Sequence, residues 1–216
     1  MTLNKHCVVI LSRNRANTLK ETIIGLKPQL NSVDRVYISD NSTDVFNSEL
    51  VKSIALKYGI PVVENKGLTM AEHYHKILIS EKESYVTILH DDDIPLPGFI
   101  STTKAQLKIS PDISILATNG HQFTEKYVDG VKKKVFSKNW EFRSKKKLIE
   151  LKNESDLILN WISPISSGTA PLSSYTFNTC YYKPGHFDTY SLCGFYWDTI
   201  LTSQFAESAR IIWINK

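Results

Sequence analysis

The sequence is short of cysteine, of glycine and of long apolar runs, and each shortage removes a class of protein. Its three cysteines, Cys7, Cys180 and Cys193, stand far apart in 216 residues. Such spacing supports neither a disulfide framework nor a zinc cluster, and buried free thiols are the simple reading. No stretch approaches the roughly 18 consecutive apolar residues of a spanning helix, and Met1 to Lys5 lack the apolar core of a secretory signal. The cytosol is therefore the expected compartment. No glycine-rich phosphate loop follows the first apolar run, which counts against nucleotidyl transfer. Without a zinc finger, helix-turn-helix or aromatic RNA-binding signature, nucleic acid is not an expected partner. EF-hand spacing, internal repeats and low-complexity linkers are absent too.

What is present is a chain of 216 residues with 42% hydrophobic residues, enough for one sizeable core and too short for two full domains. The net charge of +4 is uneven: Lys126 to Glu154 holds ten basic against four acidic residues, leaving the remainder slightly acidic. Lys132–Lys147 is the densest part. It reads either as a solvated hairpin or loop, or as a surface for an anionic membrane face or phosphorylated substrate.

The first half alternates short apolar runs with helical patterns, the signature of βαβ units around a mostly parallel sheet. Strands are expected at 7–11, 36–38, 61–63, 85–89 and 113–117. Between them, Leu19, Ile23, Leu26 and Leu30 mark one helix, with Thr18 and Glu21 at capping-box spacing and Pro28 ending or bending it. Leu50, Ile54 and Leu56 mark a second helix, 69–80 a third and 98–109 a fourth. Beyond Gly120 the alternation stops and the chain reads as mixed α+β with hairpins, closing on a helix at 198–208 and a strand at 210–214. The expected division is a ligand-binding half at 1–119 and a second half at 120–216. The early stop after the closing strand points to a trimmed chain or one domain of a longer protein.

Three polar clusters fall at strand ends, where open α/β sheets bind ligands. Asp91, Asp92 and Asp93 cannot all enter a core, because an unpaired buried charge costs several kcal/mol. They form either a divalent-metal site or an acidic helix start. If the chain stays extended, Asp91 and Asp93 share a side and hold one Mg2+ or Mn2+. Asp40-Asn41-Ser42-Thr43-Asp44 and Ser12-Arg13-Asn14-Arg15 follow the second and first strands in the same way. Each alone is an ordinary turn or cap; together they favour a shared site.

In order and spacing, Val8 to Arg15, Ile38 to Asp44, Asn65-Lys66-Gly67 and Ile88 to Asp93 resemble the landmarks of glycosyltransferase family 2, proteins of the GT-A fold. The resemblance covers Cys7 to Phe99 and returns near Gly185 to Ile214. It implies a Rossmann-like, mostly parallel sheet with a mixed α+β acceptor side. It also implies an inverting, metal-dependent transfer of sugar from a nucleoside diphosphate, with uridine diphosphate the commonest carrier, to a hydroxyl of a glycan or lipid-linked acceptor in surface polysaccharide synthesis. By the same resemblance Ser12 and Arg15 border the nucleotide, Asp40 recognises the base edge with Asn41 close by, Asp92 approaches the ribose or the metal, Asp93 holds the metal with Asp91 or Asp92 assisting, and Asp198 is the base.

Two positions depart from the family pattern. His90 stands where many relatives carry an acid, and Trp197 replaces the acidic neighbour of the base. Trp197 is then the candidate sugar-stacking residue on the acceptor side. A non-catalytic carbohydrate- or metal-binding domain and a sugar nucleotidyltransferase are the alternatives.

Overall fold

The computed structural model describes residues 5–129, 131–139, 146–162 and 169–215. The order β1(His6–Ser12), α1(Ala16–Leu26), β2(Arg35–Asp40), α2(Val45–Tyr58), β3(Val62–Glu64), α3(Met70–Ser80) and β4(Tyr85–His90) realises the expected βαβ alternation. α4(Phe99–Ile109) and β5(Ile115–Thr118) continue it. There follow a hairpin of β6(His121–Val128) and β7(Val131–Asn139), then β8(Leu148–Leu151), α5(Glu154–Ile162), β9(Thr176–Asn178), α6(His186–Tyr190), α7(Trp197–Ser208) and β10(Ile211–Ile214).

One eight-stranded sheet runs in the order β3-β2-β1-β4-β9-β5-β10-β8, with β6-β7 as a separate ribbon. β1 to β4 are parallel, β5 and β10 are parallel to each other, and β9 is antiparallel to both β4 and β5. The chain thus has the α/β architecture of a doubly covered, mostly parallel sheet. β9, from the second half, sits between two strands of the first. The halves divided at residue 119 therefore share one sheet.

β1 shows why the sheet is covered on both faces. Every residue of it is buried. Val8 and Ile10 pack with Leu19, Ile23, Ile38 and Val51 under α1 and α2, while Cys7, Val9 and Leu11 pack with Tyr74, Ile77 and Phe205 under α3 and α7. Side-chain alternation along one strand thereby feeds two cores. Each fully buried Leu or Ile contributes about 1.5–3 kcal/mol relative to exposure.

The caps differ from expectation in one place. α3, expected at 69–80, starts on a capping box between Thr69 and Glu72. α1 starts instead at Ala16 with Arg15 as a cap residue whose side chain makes no capping hydrogen bond, and Thr18 Oγ1 donates to the Arg15 carbonyl at 2.9 Å. The cause lies upstream. Asn14 takes a left-handed conformation (φ 54°), tolerable for Asn, and ends the loop before Thr18 can cap. α1 stops at Leu26, and Pro28 enters a 3-10 turn at Lys27–Ser32. Leu56, expected on the apolar face of α2, is 85% exposed, because that helix buries Val51 and Ala55.

Candidate active site

Strand register brings the three polar clusters to one edge. Ser12 pairs with Asp40 across β1 and β2, and Leu11 pairs with His90 across β1 and β4. Asn14 stitches the first two loops: its Oδ1 accepts from the backbone of Thr43 at 3.0 Å and of Asp44 at 3.2 Å, and its own N–H donates to Ser42 Oγ at 2.9 Å. Asn41 exchanges two hydrogen bonds with the backbone of Leu68, at 2.7 and 2.9 Å, tying β2 to the start of α3.

Asp40 is fully buried. Its Oδ1 accepts from the backbone N–H of Ser42 at 3.0 Å and from the Ser42 hydroxyl at 2.6 Å. Oδ2 is buried without a partner. A buried acceptor left unpaired costs about 1–3 kcal/mol, and a ligand N–H would recover it. Beneath it, Ser39 Oγ meets His73 Nε2 at 2.6 Å and accepts from Asn65 Nδ2 at 2.8 Å. Burial lowers the His73 pKa to about 4, so its ring is neutral near neutral pH. Ser12, Asn41 and His73 line a crevice of about 20 Å³ beside His90.

The acidic triplet does not remain extended. After β4 the chain turns, with the Asp93 N–H donating to the His90 carbonyl at 3.3 Å, so strict alternation fails and Asp91 and Asp93 part. Asp91 is fully buried. Its Oδ2 accepts from the Arg13 backbone at 3.2 Å, and its Oδ1 forms an ion pair with Arg15 Nη2 at 2.7 Å, without the direction of a hydrogen bond. Burial lifts its carboxyl from near 3.8 to about 6, against the pull of Arg15 and the Arg13 N–H. Arg15 also reaches the exposed Asp92 at 2.6 Å. The carboxylates that meet are instead Asp92 and Asp93, whose ligand atoms lie with one of His90 within 4.8 Å of one another. The turn is held from behind by Gly25 of α1, where an added Cβ would come within 2.8 Å of Ile94 Cγ2 and 3.0 Å of the Pro95 carbonyl.

His90, Asp92, Asp93 and Asp198 border one cleft of about 1510 Å³. Asp198 lies in the first turn of α7, its Oδ1 accepting from the Thr199 N–H at 2.8 Å. Burial, then the charges of Asp198 and Asp93, push the Tyr74 hydroxyl well above the ordinary range. Phe123, Lys134 and Phe136 of the hairpin, with Trp161 and Tyr175, form other parts of the wall.

Trp197, expected to stack on acceptor, is not among the described residues lining this cleft. Its ring packs on Tyr74 at 4.8 Å and faces Tyr190 at 6.4 Å, because burying aromatic area stabilises the start of α7 more than solvent does. Tyr74 and Trp161 carry no signal in the sequence beyond their aromatic character. Of the basic segment, residues 140–145, Arg143 and Lys145 among them, lie outside the described residues.

No protein-family model matches the sequence, and no curated protein matches it. Solved structures do. Glucosyl-3-phosphoglycerate synthase from Mycobacterium tuberculosis, solved with Mn2+ and uridine-diphosphate-glucose, is 17% identical over 98% of this chain and 69% of that one, with a TM-score of 0.55. The same synthase is also known with Mg2+ and uridine diphosphate. S. aureus TarS 1-349 is 15% identical over 97% of this chain and 58% of that one, with a TM-score of 0.57. The 4-diphosphocytidyl-2C-methyl-D-erythritol synthase from Anaerococcus prevotii is 9% identical over 98% of this chain and 87% of that one, also at 0.57. The chain has the GT-A fold.

Proposed function

We propose that the protein is a metal-dependent inverting glycosyltransferase that moves a sugar from a nucleoside diphosphate, uridine diphosphate foremost, to an acceptor hydroxyl. The observation that carries this reading is the meeting, in one cleft at the carboxyl edge of the sheet, of a carboxylate pair at Asp92 and Asp93 with a separate carboxylate at Asp198. The donor set fits a hard divalent ion: Asp92 and Asp93 are exposed, and Mg2+ or Mn2+ needs only one or two carboxylates plus diphosphate oxygens. Bound there, the ion would neutralise charge on the leaving diphosphate.

The chain's own residues supply the rest. The free Oδ2 of Asp40 accepts from a base N–H, such as N3–H of uracil, while Ser12 and Asn41 shape the crevice beside it. Asp91 holds Arg15 at the entrance, where its guanidinium meets the phosphates. Asp198 takes the acceptor's proton as the bond to the sugar forms. That last role separates sugar transfer from nucleotidyl transfer, since a phosphate nucleophile has no proton to lose.

The acceptor side is the half from residue 120, and the acceptor itself is a glycan or lipid-linked hydroxyl. Contact with the anionic membrane face is assigned to the hairpin, where Lys126 pairs across from Lys133 and Tyr127 and Val131 stand exposed at 77% and 57%. Among the described residues no helix is long and apolar enough to cross a membrane. Sedimentation with anionic vesicles, salt-sensitive if the lysines act, tests that contact.

The donor reading is tested by calorimetric titration with uridine, guanosine and thymidine diphosphates, with Mn2+ and then with chelator. Metal-dependent binding of uridine diphosphate is expected. Absence of binding by every nucleotide would sink it.

A further inference from the structure

The residue before the acidic triplet has a fixed ring and no assigned task. His90 ends β4, and its Nε2 meets the Tyr74 hydroxyl at 2.9 Å. Tyr74 has no freedom to wander: it is fully buried, packed edge-on against Phe177 at 6.2 Å and against Trp197 at 4.8 Å. The imidazole is therefore oriented from behind by an oxygen on one nitrogen; in the tautomer that donates its Nε2 proton to that oxygen, this is the arrangement of a metal-bound histidine. Its other nitrogen, Nδ1, is the one left for an ion.

The spacing agrees. Ligand atoms of His90, Asp92 and Asp93 all lie within 4.8 Å of one another. Two donors each about 2.1 Å from one ion stand about 3 Å apart in cis and about 4.2 Å in trans. Rotations of the exposed Asp92 and Asp93 side chains close the difference.

We infer that His90 is a nitrogen ligand of the divalent ion, so that the site is mixed N/O and selects Mn2+ over Mg2+. The inference rests on the metal reading of the same cleft. Its chemical ground is that imidazole suits transition ions, whereas Mg2+ prefers oxygen and keeps its waters.

The test is Mn2+ binding in the presence of uridine diphosphate, followed by electron paramagnetic resonance and calorimetry. In the unaltered protein the spin-echo spectrum of bound Mn2+ should carry a directly coordinated 14N coupling, a readout that needs no variant. His90→Ala should abolish that coupling and weaken Mn2+ about tenfold or more, while Mg2+ affinity changes less than about threefold. Tyr74→Phe, which removes only the orienting hydroxyl, should weaken Mn2+ about tenfold. His90→Asp should retain binding but erase the preference for Mn2+. Tight Mn2+ binding that is lost in Asp93→Ala yet shows no 14N coupling, with affinity unchanged in His90→Ala, would overturn the role of His90 and leave the metal reading standing. Failure of the unaltered protein to bind Mn2+ with any nucleoside diphosphate would overturn both.

Discussion

Replacing Asp91 with Asn should change the pH dependence of stability in a calculable direction. Asp91 is fully buried, and burial raises its carboxyl from near 3.8 to about 6. A carboxyl whose folded pKa exceeds its unfolded value favours the fold when protonated. That contribution is complete below about 3.8 and is lost as pH rises through about 6. A shift of this size corresponds to about 3 kcal/mol, of which about 2 kcal/mol falls between about pH 4.5 and about pH 7. Asp91→Asn keeps the shape and removes the titration. Urea unfolding of both proteins across that window, with chelator present, should show the variant gaining about 2 kcal/mol on the parent as pH rises. All other titrating groups are common to the two proteins and cancel in the difference. The pair with Arg15 adds nothing further to this difference, because its pull is already contained in the folded value of about 6. Parallel stability curves would refute the claim that Asp91 is held charged at a cost in order to fix Arg15.

Other substitutions separate the parts of the site. Asp198→Asn should preserve donor affinity and lower turnover by about a thousandfold or more, whereas Asp93→Ala should weaken metal-dependent nucleotide binding itself; calorimetry and transfer assays on both variants distinguish these, and equal loss of both properties in each would defeat the division. Gly25→Ala should cost about 1–3 kcal/mol in chemical denaturation, through the contact with Pro95, and should also weaken Mn2+-dependent nucleotide binding by displacing the acidic turn. Unchanged binding would mean that the turn is positioned from elsewhere.

The sheet was legible where neighbours in sequence are neighbours in space. Cys7-Val8-Val9-Ile10-Leu11 is a two-sided apolar run, and β1, β2 and β4 emerged close to their expected bounds. The location of the polar clusters followed from topology alone. What could not be read was set by distant packing. Thr176–Asn178 is three residues long, and nothing local says that it pairs with Val86 and Ile115. α5 carries local signals, Asn153 accepting from the Asp156 N–H and acids in the first turn, but they are masked by basic and aromatic surroundings. The parting of Asp91 from Asp93 depends on a turn anchored by Arg13 and Arg15 from another loop. The inward packing of Trp197 likewise depends on Tyr74, more than a hundred positions earlier.

The insertion of β9 between β4 and β5 also sets an order of events during synthesis. A ribosome that has delivered β1 to β5 has made every residue of the acidic turn, yet the partner for the free edge of β4 is still untranslated. Until Thr176 to Asn178 emerge, β4 presents an apolar strand with unpaired backbone groups. The three residues must then slot between strands made some sixty to ninety positions earlier, a non-local step that is slow compared with helix formation. Chaperone demand on the nascent chain should therefore persist well past β5 and fall once β9 is out.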